Sequence, residues 1–112
     1  MKTKVLSLVT LFMLSVFTVF AEEKTEKFEV KGGDCEECKS HIESTATGVE
    51  GVTSAEWDME TKELTVVFDD EVTTLDSVEM AIARGGNDTP NYSAPEEAYG
   101  ALPECCQYER EG

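Results

Sequence analysis

Two pairs of cysteines hold the chemistry open to this chain: Cys35 and Cys38, separated by Glu36 and Glu37, and the adjacent Cys105 and Cys106. A thiolate is both a soft metal ligand and the nucleophile of disulfide exchange, so either pair can bind a metal ion or do redox chemistry. Two thiolates suit a two-coordinate soft ion such as copper(I) or mercury(II). Zinc(II) or cadmium(II) needs more ligands, and Cys105 and Cys106 could complete such a site, or one for a copper cluster. His41, three residues after Cys38, is a further nitrogen donor about one helical turn along, although a solvent-facing histidine is the commoner reading. Adjacent cysteines bridge to each other only with strain. Cys105 and Cys106 therefore read as ligands sharing the first site, as ligands of a separate site, or as disulfide partners of Cys35 and Cys38. Connectivity is not readable from spacing, and all three readings stand.

The elements that position these thiols follow from the hydrophobic pattern. Phe28 and Val30 alternate with Glu29 and Lys31 as a half-buried strand, which Gly32-Gly33-Asp34 interrupts. Cys38, Ile42, Thr45/Ala46 and Val49 then recur at helical spacing, with Asp34 at the N-cap. This places Cys35 and Cys38 at a helix N-terminus, whose partial positive charge favours thiolate. Glu36 and Glu37 suit a first helical turn but oppose thiol ionisation and could recruit a harder ion. Gly48 and Gly51 mark the helix exit, Val52 to Met59 reads as a strand, and Glu60-Thr61-Lys62 as a hairpin turn. Leu64, Val66 and Phe68 alternate in a third strand. Thr74 opens a second helix through Leu75, Val78 and Ile82, closed by Gly85-Gly86. A short fourth strand falls within Thr89 to Ser93, where Pro90 keeps it at an edge. The order predicts an α+β fold, a ferredoxin-like βαββαβ sandwich with a four-stranded antiparallel sheet and two helices on one face. Phe28, Trp57, Leu64 and Phe68 are its expected core.

The N-terminus has the layout of a signal peptide. Lys2 and Lys4 precede the almost wholly apolar Val5 to Phe20, and Val19-Phe20-Ala21 offers a cleavage site after Ala21. The apolar run is short for a membrane span, and acidic residues follow it, which makes a membrane anchor the weaker alternative. The expected division is residues 1–21 as leader, 22–27 as a flexible lead, 28–93 as one domain and 94–112 as a tail. The 112 residues carry 24 acidic against 9 basic side chains, a net charge of −15. Nucleic acid is a poor partner for such a field, whereas cations and a basic protein surface are attracted to it.

The stretch Gly32-Gly33-Asp34-Cys35-Glu36-Glu37-Cys38, the helix after it, Val49-Glu50-Gly51-Val52 and Leu64-Thr65-Val66-Val67-Phe68-Asp69 together resemble the heavy-metal-associated domain family, over about residues 27 to 93. That family takes in copper chaperones, modules of metal-transporting ATPases and the periplasmic mercury-binding protein. The resemblance implies the ferredoxin-like fold and a metal held by Cys35 and Cys38. Two positions depart from its pattern: Gly33 stands where the family usually has methionine, and Asn87 where it often has Tyr, Phe or His. The tail Leu102-Pro103-Glu104-Cys105-Cys106 resembles an extension of exported bacterial members.

These features point to an exported, non-enzymatic and monomeric metal binder, periplasmic by its leader, that captures a soft or borderline ion and sequesters it or passes it to a partner protein. A thiol-disulfide oxidoreductase using Cys35 and Cys38 is the alternative. Against it stand the Glu-Glu spacer, the absence of an aromatic residue directly before Cys35, and the hairpin after the first helix. A disulfide-stapled interaction domain is a third reading, and it leaves the helix-start placement of Cys35 and Cys38 without a reason.

Overall fold

The computed structural model describes residues 23–110; the expected leader lies outside them. Strands β1 (Glu23–Glu29), β2 (Val52–Trp57) and β3 (Glu63–Asp69) form an antiparallel sheet in the order β1-β3-β2. Helix α1 (Glu36–Thr47) lies between β1 and β2, α2 (Leu75–Arg84) follows β3, and a short α3 (Glu96–Gly100) and a 3-10 turn at Glu104–Cys106 come after.

Strand alternation sets the core. Leu64, Val66 and Phe68 point to the buried face of β3, and Leu64 lies between Phe28 on β1 and Trp57 on β2. Ile42 and Ala46 of α1 and Val78 and Ile82 of α2 pack onto that face. All four expected core residues, Phe28, Trp57, Leu64 and Phe68, are buried there. Burial of side chains this size contributes about 1.5–3 kcal/mol each.

Trp57 also ties the sheet to the start of the cysteine loop. Its indole N–H donates to the Val30 carbonyl at 3.1 Å. Its outward backbone groups on the edge strand are satisfied by α1: the amide donates to Glu43 Oε2 at 2.8 Å, and Lys39 Nζ donates to the carbonyl at 2.9 Å. The Glu43 carboxylate beside Lys39 raises the lysine's pKa. Across the β2–β3 hairpin, Asp58 Oδ1 accepts from the amides of Glu60 and Thr61, which lowers its own pKa. Lys62 closes the turn with a φ of 65°.

Three expectations need correction. Glu23 to Lys27 form no loose lead: they pair with Asp69 to Thr65 as the first part of β1, because charged side chains are tolerated on an edge strand that can face water. The fourth strand is absent among the described residues. Pro90 offers no amide, Thr89 N donates to Tyr92 O at 2.9 Å to close a turn, and Asn91 donates from both its nitrogens to the buried Glu79 carboxylate. What remains beside the end of β1 is Lys31 N donating to Asp88 O at 3.0 Å, with Asn87 Nδ2 donating to Lys31 O at 2.8 Å. The sheet is therefore three-stranded, not four-stranded. Finally, Cys35 rather than Asp34 is the N-cap of α1, and it makes no side-chain cap. The Asp34 carboxylate instead accepts from Lys62 Nζ at 2.7 Å. Thr74, which opens the second helix in the sequence, is the N-cap of α2, its hydroxyl oxygen accepting from Ser77 N at 3.1 Å.

Residues 95–110 fold back onto the domain. Leu102 and Cys106 join the core cluster, with Tyr99 and Tyr108 packed against it. Among the described residues, no helix is long and apolar enough to cross a membrane.

Candidate metal centre

Cys35 sits in extended backbone at the N-cap of α1, and Cys38 follows in the first turn, its amide donating to Cys35 O at 3.1 Å. This single turn brings the two sulfurs within 3.1 Å of each other. The loop is held from both sides by its glycines. A side chain at Gly32 would meet the Trp57 ring and Ile42 at 3.0–3.1 Å. One at Gly33 would overlap the Cys105 carbonyl oxygen and stand 2.8 Å from its carbonyl carbon. Lys62 Nζ lies 5.2 Å from the centroid of a Trp57 ring and donates to Gly33 O at 3.3 Å, setting a cation beside the loop.

The 3-10 turn at Glu104–Cys106 delivers the second pair onto the first. Cys35 is joined to Cys105 and Cys38 to Cys106 by disulfides, with Cα separations of 6.0 and 5.2 Å. The two bonds lie side by side, Cys35 Sγ being 3.6 Å from Cys106 Sγ, and all four sulfurs fall within 4.8 Å of one another. Cys38 and Cys106 are 1% exposed, so half of the cluster is sealed into the core, while Cys105 is exposed and opens it to solvent. Cys105 Sγ lies 3.9 Å from Glu37 Oε1, which sets a carboxylate beside this outer edge.

The structure thus brings together all four cysteines singled out from the sequence. It leaves His41 apart: Nε2 lies 2.9 Å from Gly85 O, at the end of α2. Of the three readings of the tail, the disulfide partnership with Cys35 and Cys38 is the one formed in this state. Sequence reasoning missed Tyr108. Its hydroxyl accepts from Asp88 N at 2.8 Å and donates to Gly86 O at 3.0 Å, bracketing Asn87. Burial pushes its pKa up to about 12. The signal available was an aromatic two residues past a cysteine pair, which by itself has no direction.

The heavy-metal-associated domain model matches residues 27–88. The chain belongs to this family. Relatives of this heavy-metal-associated domain include the periplasmic component of a mercuric transport protein from Shewanella putrefaciens, 35% identical over 83 residues, which are 74% of this chain and 91% of that protein. The copper chaperone CopZ of Staphylococcus aureus is 36% identical over 63 residues, 56% of this chain and 93% of its own length. The crystal structure of oxidized MerP from Ralstonia metallidurans superimposes with a TM-score of 0.57 at 28% identity, covering 61% of this chain and 94% of that one. The heavy-metal-associated match ends before Cys105 and Cys106, so the sulfurs that meet the Cys35–Cys38 loop from outside come from a segment beyond it.

Proposed function

We propose that this protein is an exported carrier that captures a soft or borderline metal ion on the thiolates of Cys35 and Cys38 and sequesters it or passes it to a partner. The observation that carries the reading is the placement of both sulfurs at the first turn of α1, 3.1 Å apart. A helix start supplies partial positive charge and unpaired amides that favour two thiolates over two thiols. Copper(I) and mercury(II), which accept two sulfurs, are the favoured cargo. Ligand exchange permits transfer, because an incoming thiolate can attack an under-coordinated ion before the first ligand leaves. The net charge of −15 would steer the carrier toward a basic docking surface. Family membership and relatives named for mercuric transport and copper chaperoning support this reading, and the leader-like residues 1–21 together with the periplasmic relative support export.

The test is competition against chelators under reducing, anaerobic conditions. The wild-type protein should take copper(I) and mercury(II), and Cys35→Ser/Cys38→Ser should lose both at the chelator concentrations that wild type withstands. Full retention by the variant ends the proposal.

A further inference from the structure

We propose that, in the reduced protein, Cys105 and Cys106 join Cys35 and Cys38 in one four-thiolate site for a single divalent d10 ion, zinc(II) or cadmium(II). The inference rests on the reading of Cys35 and Cys38 as ligands and extends it to a segment outside the family match.

Its first support is the donor set. Four sulfurs within 4.8 Å of one another need only small displacements to surround one ion, since the Zn–S distance of about 2.3 Å places tetrahedral sulfurs just under 4 Å apart. The second is that the tail is held down without its sulfurs. Leu102 is buried in the core, and Gly86, at a φ of 115°, leaves the room that Ala98 O and the Leu102 side chain occupy. Arg110 pairs with Asp88 Oδ1 at 3.0 Å, donates to Ala94 O at 2.7 Å, and lies 4.8 Å from the Tyr99 ring centroid. Tyr99 packs edge-on against Tyr108 at 4.9 Å. Breaking both disulfides removes none of these contacts, so the four thiols stay in one small volume. The third is Gly33, whose missing side chain is the space through which the Cys105 backbone reaches the loop.

The disulfides and the metal are then alternative occupants of the same sulfurs. Two dithiol molecules, each oxidised to its own disulfide, reduce Cys35–Cys105 and Cys38–Cys106 to four thiols by exchange. Uptake of the ion displaces the thiol protons to solvent. An ion enclosed by four thiolates is held for storage or buffering more than for rapid hand-over.

Cadmium(II) is the probe. One equivalent is added to the fully reduced, full-length chain, which is then treated with N-ethylmaleimide and mapped by mass spectrometry. Protection of all four cysteines is expected. Protection of Cys35 and Cys38 alone overturns the four-thiolate site and leaves the two-thiolate carrier standing; protection of neither cysteine of the loop also overturns the four-thiolate site, while the carrier stands or falls on the copper(I) and mercury(II) competition. In parallel, Cys105→Ser/Cys106→Ser should weaken zinc(II) and cadmium(II) binding by about a hundredfold or more, at least what the loss of an outer-shell partner costs, while mercury(II) binding at Cys35 and Cys38 persists. Unchanged cadmium affinity in a folded variant overturns the proposal.

Discussion

The backbone of Cys105 occupies the space that a side chain at residue 33 would fill. Gly33 is thus the complement of the tail, and its departure from the methionine usual in the family has a steric reason. Gly33→Ala should strain the oxidised protein by about 1–3 kcal/mol, because the obstacle is backbone tethered by two disulfides and cannot rotate away. Urea denaturation of the oxidised proteins measures this. In the reduced protein Gly33→Met should displace the tail, seen as faster proteolysis around residues 102–108; equal cleavage rates would mean that the tail does not depend on the gap.

In the oxidised protein every sulfur is already bonded, so metal uptake requires reduction. The untreated chain should yield peptides linked Cys35–Cys105 and Cys38–Cys106 and bind neither copper(I) nor zinc(II) under conditions that leave disulfides intact. A dithiol should restore binding. Native mass spectrometry before and after reduction reads both outcomes, and a metal-loaded oxidised chain would count against shared occupancy of the sulfurs.

Tyr108 gives the tail a pH limit. Its pKa is raised from the ordinary value of 10.0 to about 12 by burial, so the folded state keeps the phenol protonated more firmly than the unfolded chain does. The stabilisation is fully present below about pH 10 and is lost as pH rises toward about 12. Tyrosinate absorbance should show this late titration, and Tyr108→Phe should abolish it. The same variant loses the bonds to Asp88 N and Gly86 O, about 0.5–1.5 kcal/mol each, and should raise hydrogen exchange in the segment after Leu102.

Trp57 couples the sheet to the loop. Trp57→Phe leaves the Val30 carbonyl without its indole donor, at a cost of about 1–3 kcal/mol for the unsatisfied group, with a further penalty for lost volume beside Gly32. The midpoint of chemical denaturation should fall accordingly. Wild-type stability would place the loop's support elsewhere.

The sequence made the core legible because alternation in β3 and helical spacing in α1 each have a simple period, and Leu64, Val66, Ile42 and Ala46 all fall where those periods put them. The thiol pair was legible for the same reason. The fourth strand was not: only the order of the other elements asked for it, while Pro90 and the bonds from the Asn91 amide and side chain to the Glu79 carboxylate divert the backbone. Nor was the tail's path, since Leu102, Cys106 and Tyr108 have no periodic signal and their partners lie far away in sequence. Gly33 could be read only as a departure until the chain that fills its space was placed.

X-ray absorption of the reduced, full-length protein carrying one equivalent of zinc(II) counts the sulfur ligands directly. Four sulfurs at about 2.3 Å and no nitrogen or oxygen in the coordination sphere are expected. Two sulfurs with the remaining positions filled by oxygen or nitrogen would contradict the account, placing Cys105 and Cys106 outside the metal site.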